Sequence, residues 1–312
     1  MNSKVIVSIV VVIVIAASLS FAYSDLHKQK PGPSTITVVD DLGRKVTIPL
    51  PVKRVVSMDP SNTQMMYAIG AGNLLVADTS YDWWPENATK LPHVAMDNGT
   101  ASVEQVVNMT PDLVLATTIQ PMQIIDQLQN LSIPVLVFEP QNISNIYSDM
   151  LTLGNVTGHY STAVAEVNHM KTVIKGVQQK IENYSRVSLL YMLWPDPIYT
   201  AGPTSFINSV ISAAGGENIA DNLTGAYPVI SLEQIVVDNP QAIIVDNGTG
   251  ISNITYFTTG NQSQVWKNIS AIKGDRLLVF NVTESEWMNE PGPLTIFAVQ
   301  MVAQFLYPQA FE

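Results

Sequence analysis

The chain has 312 residues and a formal net charge of −11, with 46% hydrophobic and only 13% charged residues. That length has room for two domains, and the acidic balance, with no basic stripe, excludes nucleic acid as a partner, because phosphates demand clustered Lys and Arg. The absence of cysteine excludes disulfides, thiolate metal sites, a thiol nucleophile and a cysteine-linked lipid anchor.

In chain order, Val5 to Ala22 are almost wholly apolar behind Lys4. A run of about 18 such residues reads as a secretory leader or an N-terminal membrane anchor, and Ser20-Phe21-Ala22 suits cleavage. Residues 1–22 are therefore set apart from the fold. Residues 23–34, with Lys28, Lys30, Pro31, Gly32 and Pro33, read as an exposed tether. Thr35 to Val39 and Lys45 to Ile48 alternate around Asp41-Leu42-Gly43-Arg44, which predicts a hairpin. Arg54 to Met58 is a short buried strand. Pro60-Ser61-Asn62 opens a helix that Gly70-Ala71-Gly72 ends, and Leu74 to Ala77 is the next strand. An aromatic loop, Tyr81-Asp82-Trp83-Trp84-Pro85, follows.

A unit then appears that the chain uses twice. Ser102-Val103-Glu104-Gln105 to Leu115 recurs without a gap as Ser231-Leu232-Glu233-Gln234 to Ile244. Each copy predicts a short helix, opened by a Ser-x-x-Gln capping box, stopped near Pro111 or Pro240, and leading into a strand buried on both faces. Ile124 to Leu131 is a helix and Val135 to Phe138 a strand. Such alternation predicts a parallel α/β lobe over residues 35–157. From Gly158 to Tyr184 the period changes. Tyr160, Val164, Val167, Met170 or Lys171, Ile174, Val177, Ile181 and Tyr184 recur at helical steps, predicting one long amphipathic rod over 158–184 that spans roughly 40 Å. Residues 185–312 repeat the first lobe in outline. They hold a strand from Val187 to Met192, a helix opened at Pro203-Thr204-Ser205 and ended at Gly215-Gly216, the second repeat unit, a helix near Ser263 to Asn268 and a strand from Leu277 to Phe280. A loop, Glu286 to Pro293, precedes a last helix from about Leu294 to Leu306. The expected fold is α/β: two Rossmann-like lobes joined by one long helix, with a ligand cleft between them.

The motifs of catalysis are missing: no G-x-S-x-G, H-E-x-x-H, Walker or G-x-G-x-x-G run occurs. His27, His93, His159 and His169 have no ligand spacing, so no metal site is expected. A glycosidase-like pair among the many carboxylates stays open. Sequons occur at Asn87, Asn98, Asn108, Asn130, Asn142, Asn155, Asn183, Asn222, Asn247, Asn253, Asn261, Asn268 and Asn281. That is thirteen, where composition alone would give roughly three, and the excess suggests an exported, glycosylated chain suited to an acidic exterior. Aromatics gather in loops: Tyr81, Trp83 and Trp84 after a strand, Trp194 and Tyr199 at a strand end, Tyr227 before the second repeat helix and Trp287 before the last helix. Loops at the carboxyl ends of such strands line ligand crevices, and flat side chains there can grip a bulky, partly apolar ligand.

Together, Arg54 to Thr63, the Tyr81 to Pro85 loop, Ser102 to Leu115, Asp196 to Gly202, Gly215-Gly216-Glu217-Asn218, Tyr227 to Glu233 and Pro291-Gly292-Pro293 resemble the helical-backbone substrate-binding proteins of ABC importers, the vitamin B12 and iron–siderophore binding proteins, over about residues 35–310. The resemblance implies a non-enzymatic, monomeric protein outside the cell membrane. It would have no cofactor of its own and would deliver a metal chelate to a permease and its ATPase. It also implies one docking glutamate per lobe, Glu104 and Glu233, and aromatic ligand contacts at Trp84 or Trp83, Tyr227 and Trp287. Many relatives carry arginine at or after the Pro-Gly-Pro loop, whereas this chain has Glu290 before it and Leu294 after it. That departure favours a corrinoid such as cobalamin or another weakly charged chelate over a carboxylate siderophore, with haem also open. Two other readings are a secreted carbohydrate-active enzyme and a surface glycoprotein.

Overall fold

The computed structural model describes residues 34–97 and 99–312. The apolar run Val5 to Ala22, the tether, His27 and the Asn98 sequon lie outside the described residues. Among the described residues no helix is long and apolar enough to cross a membrane. The expected hairpin is present: β1 (Thr35–Val39) pairs antiparallel with β2 (Lys45–Pro49). Gly43 makes the turn at φ +73°, a left-handed conformation that glycine takes without a Cβ penalty.

Five short strands form the N-terminal sheet: β3 (Val55–Ser57), β4 (Leu75–Thr79), β5 (His93–Val94), then, past a small hairpin of β6 (Met96–Asp97) and β7 (Thr100–Ala101), β8 (Leu113–Ala116) and β9 (Val135–Val137). Their order is β5-β4-β3-β8-β9 and every pairing is parallel. The C-terminal sheet has β10 (Val187–Pro195), β11 (Ile198–Thr200), β12 (Gly216–Asn218), β13 (Ala242–Val245) and β14 (Leu277–Val279). Here β10 pairs parallel with β12 and β13, β13 pairs parallel with β14, and β11 folds back antiparallel on β10. The repeat-unit strands β8 and β13 are buried at every residue, as continuous apolar runs require in a sheet covered on both faces.

Apolar packing forms three bodies. One lies on the outer face of the N-terminal sheet, with Val56, Val114 and Ile125. Another lies on the outer face of the C-terminal sheet, with Ile243, Phe257 and Trp266. The third is continuous from Ile48 and Leu153 through the rod to Tyr191 and Val299, so it joins the lobes along their back. The rod itself, Tyr160–Ile181, buries Ala163, Val167, Met170, Ile174, Val177 and Ile181. Tyr160 and Tyr184, expected on this stripe, are exposed beyond its ends. Its 22 residues give a length of about 33 Å. It packs against the helix Ile143–Thr157 on one side and Thr295–Leu306 on the other. A Cβ at Gly154 would lie 2.7 Å from that of Ala163, so the first of these contacts is a close helix–helix approach.

Three details differ from the sequence reading. The helix Ile143–Thr157 was not expected. Its Ser, Asn, Thr and Gly content is poor for helix, yet Ile143, Ile146, Met150 and Leu153 recur at helical steps and are buried. The two repeat helices carry half of a capping box. Ser102 Oγ accepts from the Gln105 amide at 3.4 Å and Ser231 Oγ from the Gln234 amide at 3.1 Å. The reciprocal bond is missing, because the Ser102 amide already donates to the Ala95 carbonyl and Gln105 Oε1 accepts from the Ala95 amide. Gln234 instead donates to Asp238. Finally, Glu286 to Asn289 are not loop but the end of a helix, Val282–Asn289, started by a complete capping box of Asn281 and Glu284.

Candidate ligand cleft and docking surface

A cleft of about 690 Å³ opens between the lobes. The N-terminal lobe contributes the loops that leave β3, β4, β8 and β9, among them Asp59, Tyr81, Gln120 and Glu139. All of these follow the carboxyl ends of parallel strands, where ligand crevices form in open α/β sheets. The C-terminal lobe contributes the start of the helix Phe206–Ala213, then Ala226-Tyr227 and Asn289-Glu290-Pro291. Met58, Phe138, Phe206 and Ile207 give the walls an apolar character.

Among the described residues three carboxyl groups line the cleft, and no Lys, Arg or His does. Asp59 caps the helix Pro60–Ala68: its Oδ1 accepts from the Ser61 amide at 2.9 Å and from the Ser61 hydroxyl, and Thr117 Oγ1 donates to Oδ2 at 3.3 Å. Burial raises its pKa to about 6, against the pull of the Ser61 bonds. Glu139 Oε2 accepts from the Thr118 amide at 3.1 Å and hydroxyl at 2.6 Å. Glu290 reaches from the C-terminal lobe to the N-terminal one, where its Oε2 accepts from Gln64 Nε2 and, at 3.2 Å, from the indole N–H of Trp83. Burial lifts Glu290 to about 8, helped by the negative Asp59 and Glu286 and opposed by Trp83 and Gln64.

Of the aromatics singled out from the sequence, Tyr81 and Tyr227 line the cleft and expose more than half of their surface. Trp83 stands one contact behind it, through Glu290. Trp84 is half-buried and is not on the cleft wall. Trp194 and Tyr199 face one another across the β10–β11 hairpin, exposed and away from the cleft wall, with the Trp194 indole donating to the Asp196 carbonyl at 3.1 Å. Trp287 lies within a helix, not a loop, with its ring 5.2 Å from that of Phe297 and its side chain packed on the central apolar body. Sequence reasoning missed Asp59, Glu139 and Phe206 as wall residues. The position of Asp59 and Glu139 just past predicted strands was the signal that could have found them.

Glu104 and Glu233 are exposed in the first turn of their helices. A helix that feeds a parallel strand starts at the carboxyl edge of the sheet, so both glutamates sit on the edge that carries the cleft loops. A hollow of about 710 Å³ adjoins Glu233, walled by Asp196, Ile198, Val229 and Tyr256. The histidines stand apart: His93 Nδ1 is 2.6 Å from Asp78 Oδ1, His159 Nδ1 is 2.9 Å from the Thr157 carbonyl, and His169 is exposed. Among the described residues no group of three His, Asp or Glu could hold a metal ion. Twelve sequon asparagines fall in the described residues; eleven are exposed and Asn142 is half-buried. Among the described residues the two buried asparagines, Asn62 and Asn218, belong to no sequon.

Comparison with known proteins agrees with this architecture. The family model for periplasmic binding proteins matches residues 55–280. An uncharacterized ABC transporter substrate-binding lipoprotein of Bacillus subtilis is 31% identical, with 91% of this chain and 90% of that protein covered. The vitamin B12-binding protein of Yersinia pestis is 31% identical over 81% of this chain and 85% of its own length. The crystal structure of the periplasmic vitamin B12 binding protein of Vibrio cholerae superimposes with a TM-score of 0.70 at 25% identity, covering 84% of this chain and 99% of that one. Proteins of this kind carry a ligand and transform nothing. The two sheets, the cleft between them and the match across most of the length lead to one conclusion: the chain belongs to the periplasmic binding protein family.

Proposed function

We propose that this chain is the extracytoplasmic binding subunit of an ABC importer and that it captures a weakly charged metal chelate, a corrinoid such as cobalamin first, an iron–siderophore or haem next. Residues 35–157 and 185–312 act as the two jaws, and residues 1–34 export the chain and hold it at the outer face of the membrane. The cleft carries the reading: it is large, walled by Tyr81, Phe138, Phe206 and Tyr227, and among the described residues it has no cationic side chain. Apolar walls with a few placed polar groups suit a bulky ligand of low charge. The vitamin B12-binding relatives favour the same choice. Glu104 and Glu233 dock on basic residues of the permease, one per lobe, and the protein works as a monomer. The exposure of the sequon asparagines supports glycan attachment.

Mixing the purified protein with cobalamin, ferric siderophores and haem, and titrating whichever shifts its visible spectrum, tests the ligand. No shift with any of them would end the chelate reading. For docking, the double variant Glu104→Ala with Glu233→Ala should bind ligand as before and lose stimulation of the transporter ATPase. Normal stimulation would remove both glutamates from that role.

A further inference from the structure

We propose that Glu290 selects the ligand by charge: it ties the lobes across the cleft and, with Asp59 and Glu139, admits ligands that present amide or ammonium donors and excludes those that present carboxylates or phenolates. This rests on reading the cleft as the chelate site and adds to it the class of chelate accepted.

Among the described residues, both protein bonds to the Glu290 carboxyl end on Oε2 and both to the Glu139 carboxyl end on Oε2. Each carboxyl therefore keeps Oε1 for a guest, and both residues line the cleft. An ionised carboxyl accepts from N–H groups and repels another carboxylate. Among the described residues the wall has no cation to offset that repulsion. Glu290 is also the cleft acid that hydrogen-bonds to the opposite lobe, through Gln64 and Trp83. A guest that engages it acts on the contact that sets how the lobes meet.

Among the described residues the charged groups that bear most on Glu290 are acids: Asp59 from the loop after β3 and Glu286 from its own helix, while Gln64 and Trp83 are neutral donors. With its pKa raised to about 8, Glu290 gains its charge as pH rises through that value, so its selection by charge is read above pH 8 and weakens below it. Binding should release a proton and tighten as pH rises toward 8. A carboxylated guest should show the opposite trend.

Two probe pairs isolate charge from shape. Cobinamide and cobyrinic acid share a corrin ring but carry peripheral amides or carboxylates. Ferrioxamine B carries an ammonium group that its N-succinyl derivative replaces with a carboxylate. The amide or ammonium member should bind at least about tenfold tighter than its carboxylated partner, and Glu290→Gln, which is isosteric, should shrink that ratio at least about threefold, with Glu139→Gln as the second variant. Preference in the ferrioxamine pair alone would keep charge selection and remove the corrinoid. A carboxylated member that binds equally or tighter overturns the proposal, and so does failure of all four to bind. The tie itself is read without ligand: Trp83 emission should change as pH passes through about 8, and Glu290→Gln or Trp83→Phe should abolish the step. An unchanged step in Glu290→Gln overturns the tie whatever the cleft binds.

Discussion

Asp246 in the C-terminal lobe and Asp149 in the N-terminal lobe are both buried, but their surroundings differ. Asp246 is fully engaged: Oδ1 accepts from the Gly248 amide at 2.9 Å, and Oδ2 accepts from the Tyr191 hydroxyl at 2.9 Å and Asn289 Nδ2 at 2.8 Å. It joins β10, the turn after β13 and the helix that leads to Glu290. Asp149 has an oxygen without a partner, and so do the buried Asp78 and Asp82 of the same lobe. Burial raises Asp149 to about 8, with the Asp41 carboxylate adding to it. Burial raises Asp78 to about 6, with Asp82 adding to it. Placing a carboxyl in the interior costs little while it is protonated and much once it ionises. The C-terminal lobe thus uses its buried acid as a joint, while the N-terminal lobe carries a liability that appears only as pH rises. In sign, the folded state holds these protons more tightly than the unfolded chain. Their contribution is complete below the ordinary range near 3.8 and is lost as pH climbs through about 6 and about 8.

The largest expected effect comes from removing the joint. Asp246→Ala leaves the Tyr191 hydroxyl and the Asn289 amide without an acceptor and should cost about 2–4 kcal/mol, seen in urea melts at both pH 5 and pH 8. A loss below 0.5 kcal/mol would mean that water replaces the carboxylate without cost. Next comes the liability. Asp149→Asn should stabilise the protein by about 1–3 kcal/mol at pH 8.5 and change it little at pH 4. An equal effect at both pH values would show that burial of charge is not the cause. The smallest effect concerns helix starts. Glu284→Ala breaks the complete capping box and should cost about 1 kcal/mol, whereas Gln105→Ala, whose helix has only the serine half, should cost under about 0.5 kcal/mol. Thermal melts of the two variants compare them, and a larger loss from Gln105→Ala would reverse the ranking.

Elements whose residues repeat with one clear period were legible in the sequence. The rod announced itself through apolar steps from Val164 to Ile181, and β8 and β13 through unbroken aliphatic runs in the duplicated unit. The helix Ile143–Thr157 stayed hidden because polar, turn-favouring residues dilute its stripe, and its stability comes from packing on the rod. The cleft was legible as a place but not as a wall. Tyr81 and Tyr227 were found because loop aromatics stand out. Asp59 and Glu139 were not, since a carboxylate in a loop is ordinary until a neighbouring lobe closes over it. Trp287 misled for a related reason. A polar stretch before Pro291 reads as loop, and only the Asn281–Glu284 cap, three residues earlier, makes it helix.

The continuous apolar body behind the cleft has one further consequence. The rod is clamped by a helix from each lobe and meets Gly154 at close range, which restricts hinge motion; if the tilt is small, loaded and unloaded molecules would hold Glu104 and Glu233 at nearly the same separation. A permease that gripped those two carboxylates would then have little basis for telling a full carrier from a vacant one. Uptake at low solute supply would be throttled by vacant carriers occupying the gate, and overproducing this protein would slow import instead of speeding it.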